Sequence, residues 1–327
     1  MQSEKVIIIG AGPCGLSTGI ELKRKGFDPL LIEKENVANS LYYYPTHQTF
    51  FSSAEKLEIG QIPFISERQK PVRNEALTYY RTVAQRSELR INTYERVMKV
   101  EKQGDSYTLQ TKTKNDEEKT YHANYLVIAT GYYDHPNSLN VKGQSLPHVY
   151  HYFKEAHPYF NQNVVVIGGK NSAVDAALEL EKAGAHVTVL YRGSDYSPSV
   201  KPWILPNFES LVRHRKVQME FDAEVDEITT DAVRYIVKGE TKEVKADFVF
   251  AMIGYHPNQE FLTSVGIIID SETGRPQFDD QSMETNVDQI YISGVIAAGY
   301  NNNEIFIENG RHHGERIAND IVNKETR

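Results

Sequence analysis

The sequence predicts an α/β protein built from two doubly wound, Rossmann-like dinucleotide-binding domains, the second inserted into the first. Three observations predict it: an internal repeat, a glycine-bearing turn in each copy, and two matching segments where apolar strands break at His-Pro-Asn. The stretch "VIIIGAGPCGLSTGIELKRKGFDPLLIEKE" from Val6 aligns without a gap on "VVVIGGKNSAVDAALELEKAGAHVTVLYRG" from Val164. Gly10 falls on Gly168, Gly12 on Lys170, Gly15 on Ala173, Gly26 on Gly184 and Glu33 on Tyr191. Each copy reads as a buried β-branched strand, a glycine turn, an amphipathic helix stopped by glycine, and a second apolar strand. That is a βαβ unit, and two of them imply two nucleotide domains.

Between the copies, residues 91–100 and 107–113 alternate like antiparallel strands, with the polar run "NDEEK" at 115–119 as a hairpin tip. The segments "ATGYYDHPN" at 129–137 and "MIGYHPN" at 252–258 each follow an apolar strand and stop at Pro-Asn. They are the expected crossings between domains. The boundaries that follow are 1–135 for the first part of domain one, 136–254 for the inserted domain, and 255–327 for the return to domain one.

Bulk properties narrow the function classes. The 327 residues are 40% hydrophobic and 24% charged, an ordinary globular composition. No apolar run approaches a membrane span, and the first strand begins at Lys5 or Val6 and flows into a glycine turn, so neither membrane partner nor cleaved signal is expected. A net charge of −8 argues against nucleic acid as the main partner. A single cysteine excludes an internal disulfide and a four-cysteine zinc site, and suggests a reducing, cytoplasmic setting. The pairs His148/His151 and His312/His313 lack accompanying acids or thiols, so no metal is expected.

In the first copy, Gly10-x-Gly12-x-x-Gly15 follows a strand and opens a helix, with Glu33 eighteen residues beyond Gly15 at the end of the next strand. Gly10 makes the tight turn, Gly12 admits a pyrophosphate to the backbone, and Gly15 allows close helix–strand packing. The helix start, with Pro13 in its first turn, offers amide donors and a positive dipole end to phosphates. Glu33 is placed to accept from a ribose, with Lys34 beside it. The second copy keeps Gly168, Gly169 and Ala173 but carries Lys170 where the second glycine belongs. A lysine hinders backbone approach, yet its ammonium can face a phosphate. Ser172-x-x-Asp175 reads as a capping box starting the helix, after Asn171. Tyr191 and Arg192 stand where an acid would hold a ribose 2′-hydroxyl, so NADPH is preferred over NADH at this site.

The only thiol, Cys14, sits inside the first fingerprint. In the first turn of a helix a thiolate is favoured by the dipole and free amides, and its pKa falls below the free value of about 8.5. Two readings stay open: a redox thiol that attacks a disulfide, and a small apolar filler.

Several stretches resemble the two-dinucleotide-domain flavoprotein reductases. "LVIATG" at 126–131 is similar to that family's segment closing over FAD, and "IYISGVIAAG" at 290–299 to its C-terminal flavin segment, with a helical stretch expected from about Asn303. The resemblance implies FAD in the first domain, with Val97, Thr130, Gly131 and Gly294 among its contacts. It also implies flavin neighbours Thr46 and His47 in the aromatic loop 39–53. Where the family carries Gly-Asp, this chain has Gly294-Val295. Thioredoxin reductases share the architecture but carry a C-x-x-C pair, absent here. "GAGPCG", "IGGKNSAVDAALEL", "YRGSDYSPSVKPWILPNF" and "IFIENGRHHG" together most resemble the bacillithiol disulfide reductases over the whole chain. That resemblance implies FAD, NADPH, reduction of a low-molecular-weight disulfide and a homo-oligomer. Two alternatives stand beside it: a ferredoxin or flavodoxin NADP reductase, and a flavin-binding sensor with an inactive second site.

Overall fold

The computed structural model describes residues 2–326, and the chain divides into two compact units. The first comprises the chain up to Tyr42, Gln48–His135, and everything from Tyr255 onward; the second comprises Tyr43–His47 and Pro136–Gly254. One unit is thus inserted into the other, with chain crossings at 135–136 and 254–255. In addition, five residues from the aromatic loop group with the inserted unit.

In the first unit the chain runs β1 (Gln2–Ile9), α1 (Pro13–Arg24), β2 (Leu30–Ile32), the short helices α2 (Asn39–Tyr42) and α3 (Ala54–Leu57), α4 (Arg73–Arg86) and β3 (Arg90–Asn92). It continues through β4 (Glu95–Gln103), β5 (Ser106–Thr113) and β6 (Glu118–Ile128). Seven strands form one sheet in the order β3-β2-β1-β6-β5-β4, and β6 also pairs with β15 (Ile290–Ile292). The pairs β3–β2, β2–β1, β1–β6 and β6–β15 are parallel; β6–β5–β4 is the antiparallel meander that alternation predicts, with its turn at 114–117. Ile7, Ile8, Leu31 and Val127 have no exposed surface, as the near-continuous apolar runs of a parallel sheet covered on both faces require.

In the second unit β7 (Val149–Tyr150), β8 (Asn163–Ile167), α5 (Asn171–Lys182), β9 (His186–Leu190), α6 (Leu205–Arg213) and β10 (Val217–Glu220) precede an antiparallel meander of β11 (Ala223–Ile228), β12 (Ala232–Val237) and β13 (Glu240–Lys245). With β14 (Phe248–Ala251) they make a wholly parallel sheet in the order β10-β9-β8-β14-β7. Segment 43–47 attaches through the Thr46 amide, which donates to the Lys154 carbonyl at 2.9 Å.

The repeat is structural as well as sequential. Gly10 N donates to Ile32 O and Gly168 N to Leu190 O, both at 2.9 Å. The crossing segments repeat too: Ala129 N donates to Ile9 O and Met252 N to Ile167 O, both at 2.8 Å. Each then passes so close to its glycine that a side chain there is impossible. A Cβ on Gly10 would lie 2.5 Å from Ala129 O, and one on Gly168 2.4 Å from Met252 O. The stretches "ATG" and "MIG" are alike because each strand continues over the glycine turn of its own βαβ unit.

The first unit closes with α7 (Gln259–Ser264), α8 (Ile307–Gly310) and α9 (His313–Glu325), the last packed on α1. Regular helix begins at Ile307 rather than near Asn303, because Asn301–Glu304 are turn residues held by their own side chains. The helices approach at Gly314, where an added Cβ would lie 2.6 Å from Thr18 Cα. Gly314→Ala should therefore lose about 1–3 kcal/mol by overpacking, measured by urea unfolding. The surface control Lys23→Ala should stay within about 1 kcal/mol.

Candidate active site

The first fingerprint folds as a phosphate cradle. Gly12 is the N-cap of α1 in an extended conformation, and an added Cβ there would meet nothing within 4 Å. Gly131, with φ +70, also faces open space. At Gly15, by contrast, a Cβ would lie 2.1 Å from Gly10 O, which is the close packing the motif predicts. Pro13 occupies the first helical position, where its missing amide hydrogen costs nothing. Open backbone at the start of a helix fits a dinucleotide pyrophosphate.

Glu33 is buried, and its carboxylate accepts the Ala11 amide at 2.8 Å and the Glu35 amide at 3.0 Å. It thereby ties the end of β2 to the glycine turn, a role the sequence does not reveal, and burial raises its pKa against those amides. Lys34 forms an ion pair with Asp134 at 2.6 Å, so its charge is already matched. Val97 is half-buried beside a β-bulge, and Thr130 is half-buried after β6. Asn302 donates to Tyr255 O at 2.9 Å, and its buried Oδ1 has no protein partner among the described residues, leaving an acceptor for a ligand donor. Thr46 and His47 group with the second unit, where His47 packs edge-on to Phe153 with ring centroids 6.0 Å apart.

Cys14 lies at the second position of α1, partly buried. Its sulfur is flanked by two glycines: a Cβ on Gly294 would come within 2.9 Å of Sγ, and one on Gly310 within 3.0 Å. The expected lowering of its pKa is not what the structure shows. Burial in the glycine-lined niche, helped by the charge of Glu308, pushes the thiol up to about 12. Glu308 is itself held by the Ser52 hydroxyl. The amide of Gly294, a residue expected among the FAD contacts, donates to His313 Nδ1 at 3.1 Å.

Much of the motif "NGRHHG" is thereby explained. Gly310 makes room for the sulfur, and Arg311 O accepts the Ser17 hydroxyl at 2.7 Å. Arg311 also donates to Glu55 O and Glu58 O, while Gly314 seats α9 on α1. His313 is buried and held down to about pKa 4 by desolvation and by Arg316 and His312. The sequence marks this stretch only through its resemblance and sets His312 and His313 aside as a metal pair; the two glycines four apart flanking the histidines were the available signal of close packing.

The second fingerprint differs in detail. Lys170, not Ser172, precedes the helix: α5 begins at Asn171, and the extended Lys170 is its N-cap. Ser172 lies inside the first turn and caps nothing, which corrects the expected capping box; Asp175 is half-buried and raised to about 6 by burial and Glu179. Lys170 has φ −100, which any residue adopts, so the lysine replaces a glycine without strain. The Asn171 side chain is occupied: it donates to Ser199 O at 2.8 Å and accepts the Lys201 amide at 3.0 Å, clamping the loop that carries the exposed Trp203. Gly169 is needed for a reason absent from the fingerprint. The Tyr191 ring lies against it, and a Cβ there would be 2.3 Å from Tyr191 Cγ. Ala173 is buried, while Lys170 and Arg192 are exposed at the mouth.

The description "Pyridine nucleotide-disulphide oxidoreductase" matches residues 7–294. The chain belongs to this family. It is thus an oxidoreductase with a thioredoxin reductase-like fold, of a kind that uses FAD and NADPH. The bacilliredoxin reductase Bdr of Bacillus subtilis is 59% identical, with 99% of each chain covered. The solved bacillithiol disulfide reductase Bdr of Bacillus cereus superposes with a TM-score of 0.98 at 59% identity, covering 99% of this chain and all of that one. A ferredoxin–NADP reductase of Ignicoccus hospitalis is 28% identical, covering 89% of each. Among the described residues no helix is long and apolar enough to cross a membrane, and no three metal-ligating side chains cluster.

His313 gives the site a pH dependence. Its folded pKa, about 4, lies below its ordinary value of about 6.5, so the unfolded chain binds more protons between the two. Its contribution to stability is complete above about pH 6.5 and falls as the pH drops toward 4. Urea unfolding at about pH 7 and pH 4.5 should show wild type losing about 2–3 kcal/mol more than His313→Asn, which cannot titrate.

Proposed function

We propose that the chain is a cytoplasmic, NADPH-dependent FAD flavoprotein that reduces the disulfide of bacillithiol, working as a homo-oligomer. The observation that carries the reading is the only thiol of the chain standing in the first turn of the dinucleotide-binding helix, in a niche formed by Gly294 and Gly310. The name of the Bacillus cereus Bdr supplies the substrate.

Gly10, Gly12, Pro13 and Gly15, with Thr130 and Gly131, would hold FAD, and Glu33 would brace the turn while one carboxylate face meets the ribose. Gly168, Lys170, Ser172 and Arg192 would hold NADPH, with the two cations facing its phosphates. When bound, FAD supplies a relay that takes an electron pair from reduced nicotinamide and gives it up to a disulfide. Cys14 has a defined share in that scheme. After losing its proton, Sγ attacks one sulfur of the substrate, expelling one thiolate and leaving a mixed disulfide. Two electrons and protons then release the second thiol and restore the Cys14 thiol. Glu308, the charged group felt by the thiol, is the nearest candidate to accept its proton.

One observation favours a second reading. A thiol pushed up to about 12 is a poor nucleophile near neutral pH, so the disulfide could take electrons without Cys14. NADPH oxidation with bacillithiol disulfide, run on wild type and Cys14→Ala, separates the two. A loss on the order of 10²-fold or more, with flavin still bound and still reduced by NADPH, is expected for the thiol mechanism. Retained activity makes Cys14 a filler, and activity only with one-electron acceptors favours the ferredoxin reductase alternative.

The nucleotide preference has its own test. Arg192→Ala should raise the KM for NADPH about tenfold or more while changing that for NADH little, the size of a lost charged hydrogen bond. Equal effects on both cofactors would remove Arg192 from the 2′-phosphate.

A further inference from the structure

We propose that His313 is a positioning residue for the Cys14 thiol: by accepting the Gly294 amide it fixes the backbone wall against which the sulfur is packed. This holds whether or not Cys14 carries electrons, since it concerns the niche and not the reaction. Gly294 has φ +84 and ψ −152, a conformation open essentially to glycine alone, and it is buried, separated from the end of β15 by Ser293 alone. Such a backbone keeps its shape only where its surroundings hold it. Here the adjacent Ser293 amide donates to Ile128 O at 2.9 Å, and the Gly294 amide donates to His313 Nδ1 at 3.1 Å. An amide can only donate, so Nδ1 carries no proton and the ring proton sits on Nε2.

The geometry runs from the imidazole to the sulfur without a gap. His313 opens α9, and the next residue, Gly314, meets Thr18 of α1. Thr18 Oγ1 donates to Cys14 O at 2.8 Å and pairs with Ser293 Oγ at 3.0 Å. Cys14, Thr18, Ser293, Gly294 and His313 thus form one packed loop of contacts. The charged and titratable groups facing the imidazole are Arg316 of α9, His312 just before it and Asp280 of the segment before β15; Glu308 of α8 acts on the thiol itself. With its amide committed to His313, Gly294 offers the sulfur its Cα and no donor.

The test uses the FAD-loaded protein and needs neither NADPH nor a disulfide, so it is independent of the functional assignment. Cys14 is the only thiol, so iodoacetamide labelling read by mass reports that position alone. Two substitutions separate shape from hydrogen bonding. His313→Leu keeps volume and loses the acceptor; His313→Asn loses volume and keeps an acceptor near the place of Nδ1. Labelling is expected at least about fivefold faster in the Leu variant and within about twofold of wild type in the Asn variant, with the Leu labelling profile moved to lower pH. Hydrogen exchange at the Gly294 amide should accelerate in the Leu variant only. Equal labelling in all three proteins, no labelling in any, or an Asn variant as fast as Leu overturns the proposal. If the Leu variant does not fold, His313→Gln, whose acceptor reaches one bond too far, takes its place with the same expected acceleration and the same overturning results.

Discussion

The structure depends on a steric constraint met twice. In each βαβ unit a strand from elsewhere in the chain runs over the glycine turn, and its carbonyl stops about where a Cβ would begin, at Ala129 over Gly10 and Met252 over Gly168. The close approach brings the crossing segments to the mouths of the nucleotide turns. It also explains why the first glycine survives in both copies. A lysine is tolerated at 170 because its backbone is ordinary extended, and at Gly12 an added Cβ would meet nothing within 4 Å.

The thiol niche shows a second balance, between two opposed electrostatic effects. A helix start favours an anion by tenths to about 1 kcal/mol, whereas burial of a thiolate among backbone and beside a carboxylate opposes it by several. Burial wins at Cys14 in the geometry seen here. A redox role for this sulfur therefore needs a proton acceptor and a substrate that arrives close enough to share its charge.

Much of the architecture was legible in the chain. The gapless repeat gave both βαβ units, and the antiparallel alternation of 91–113 gave the meander, since strand periodicity depends only on which face is buried. The site was legible where backbone shape dictates residue type, as at Gly10, Gly15 and Gly168. It was not legible where a side chain serves a neighbour far along the chain. Asn171 in a nucleotide fingerprint reads as a ligand contact, yet it clamps residues 199 and 201; Ser172 reads as a cap, yet the extended Lys170 starts the helix. Thr46 and His47 follow a first-unit helix in sequence, but backbone pairing with Lys154 groups them with the other unit. No local pattern announces such long-range pairings.

The two glycines around the sulfur have a consequence for how this chain can change over time. Cys14, Gly294 and Gly310 come from three distant stretches, yet they share one small volume. A bulkier residue at any one of them must displace another, and a smaller one at 14 leaves a void that neither glycine can fill without a side chain its backbone resists. The three positions are therefore free to drift only together. A homologue that has lost the cysteine should be recognisable by what has happened at the other two.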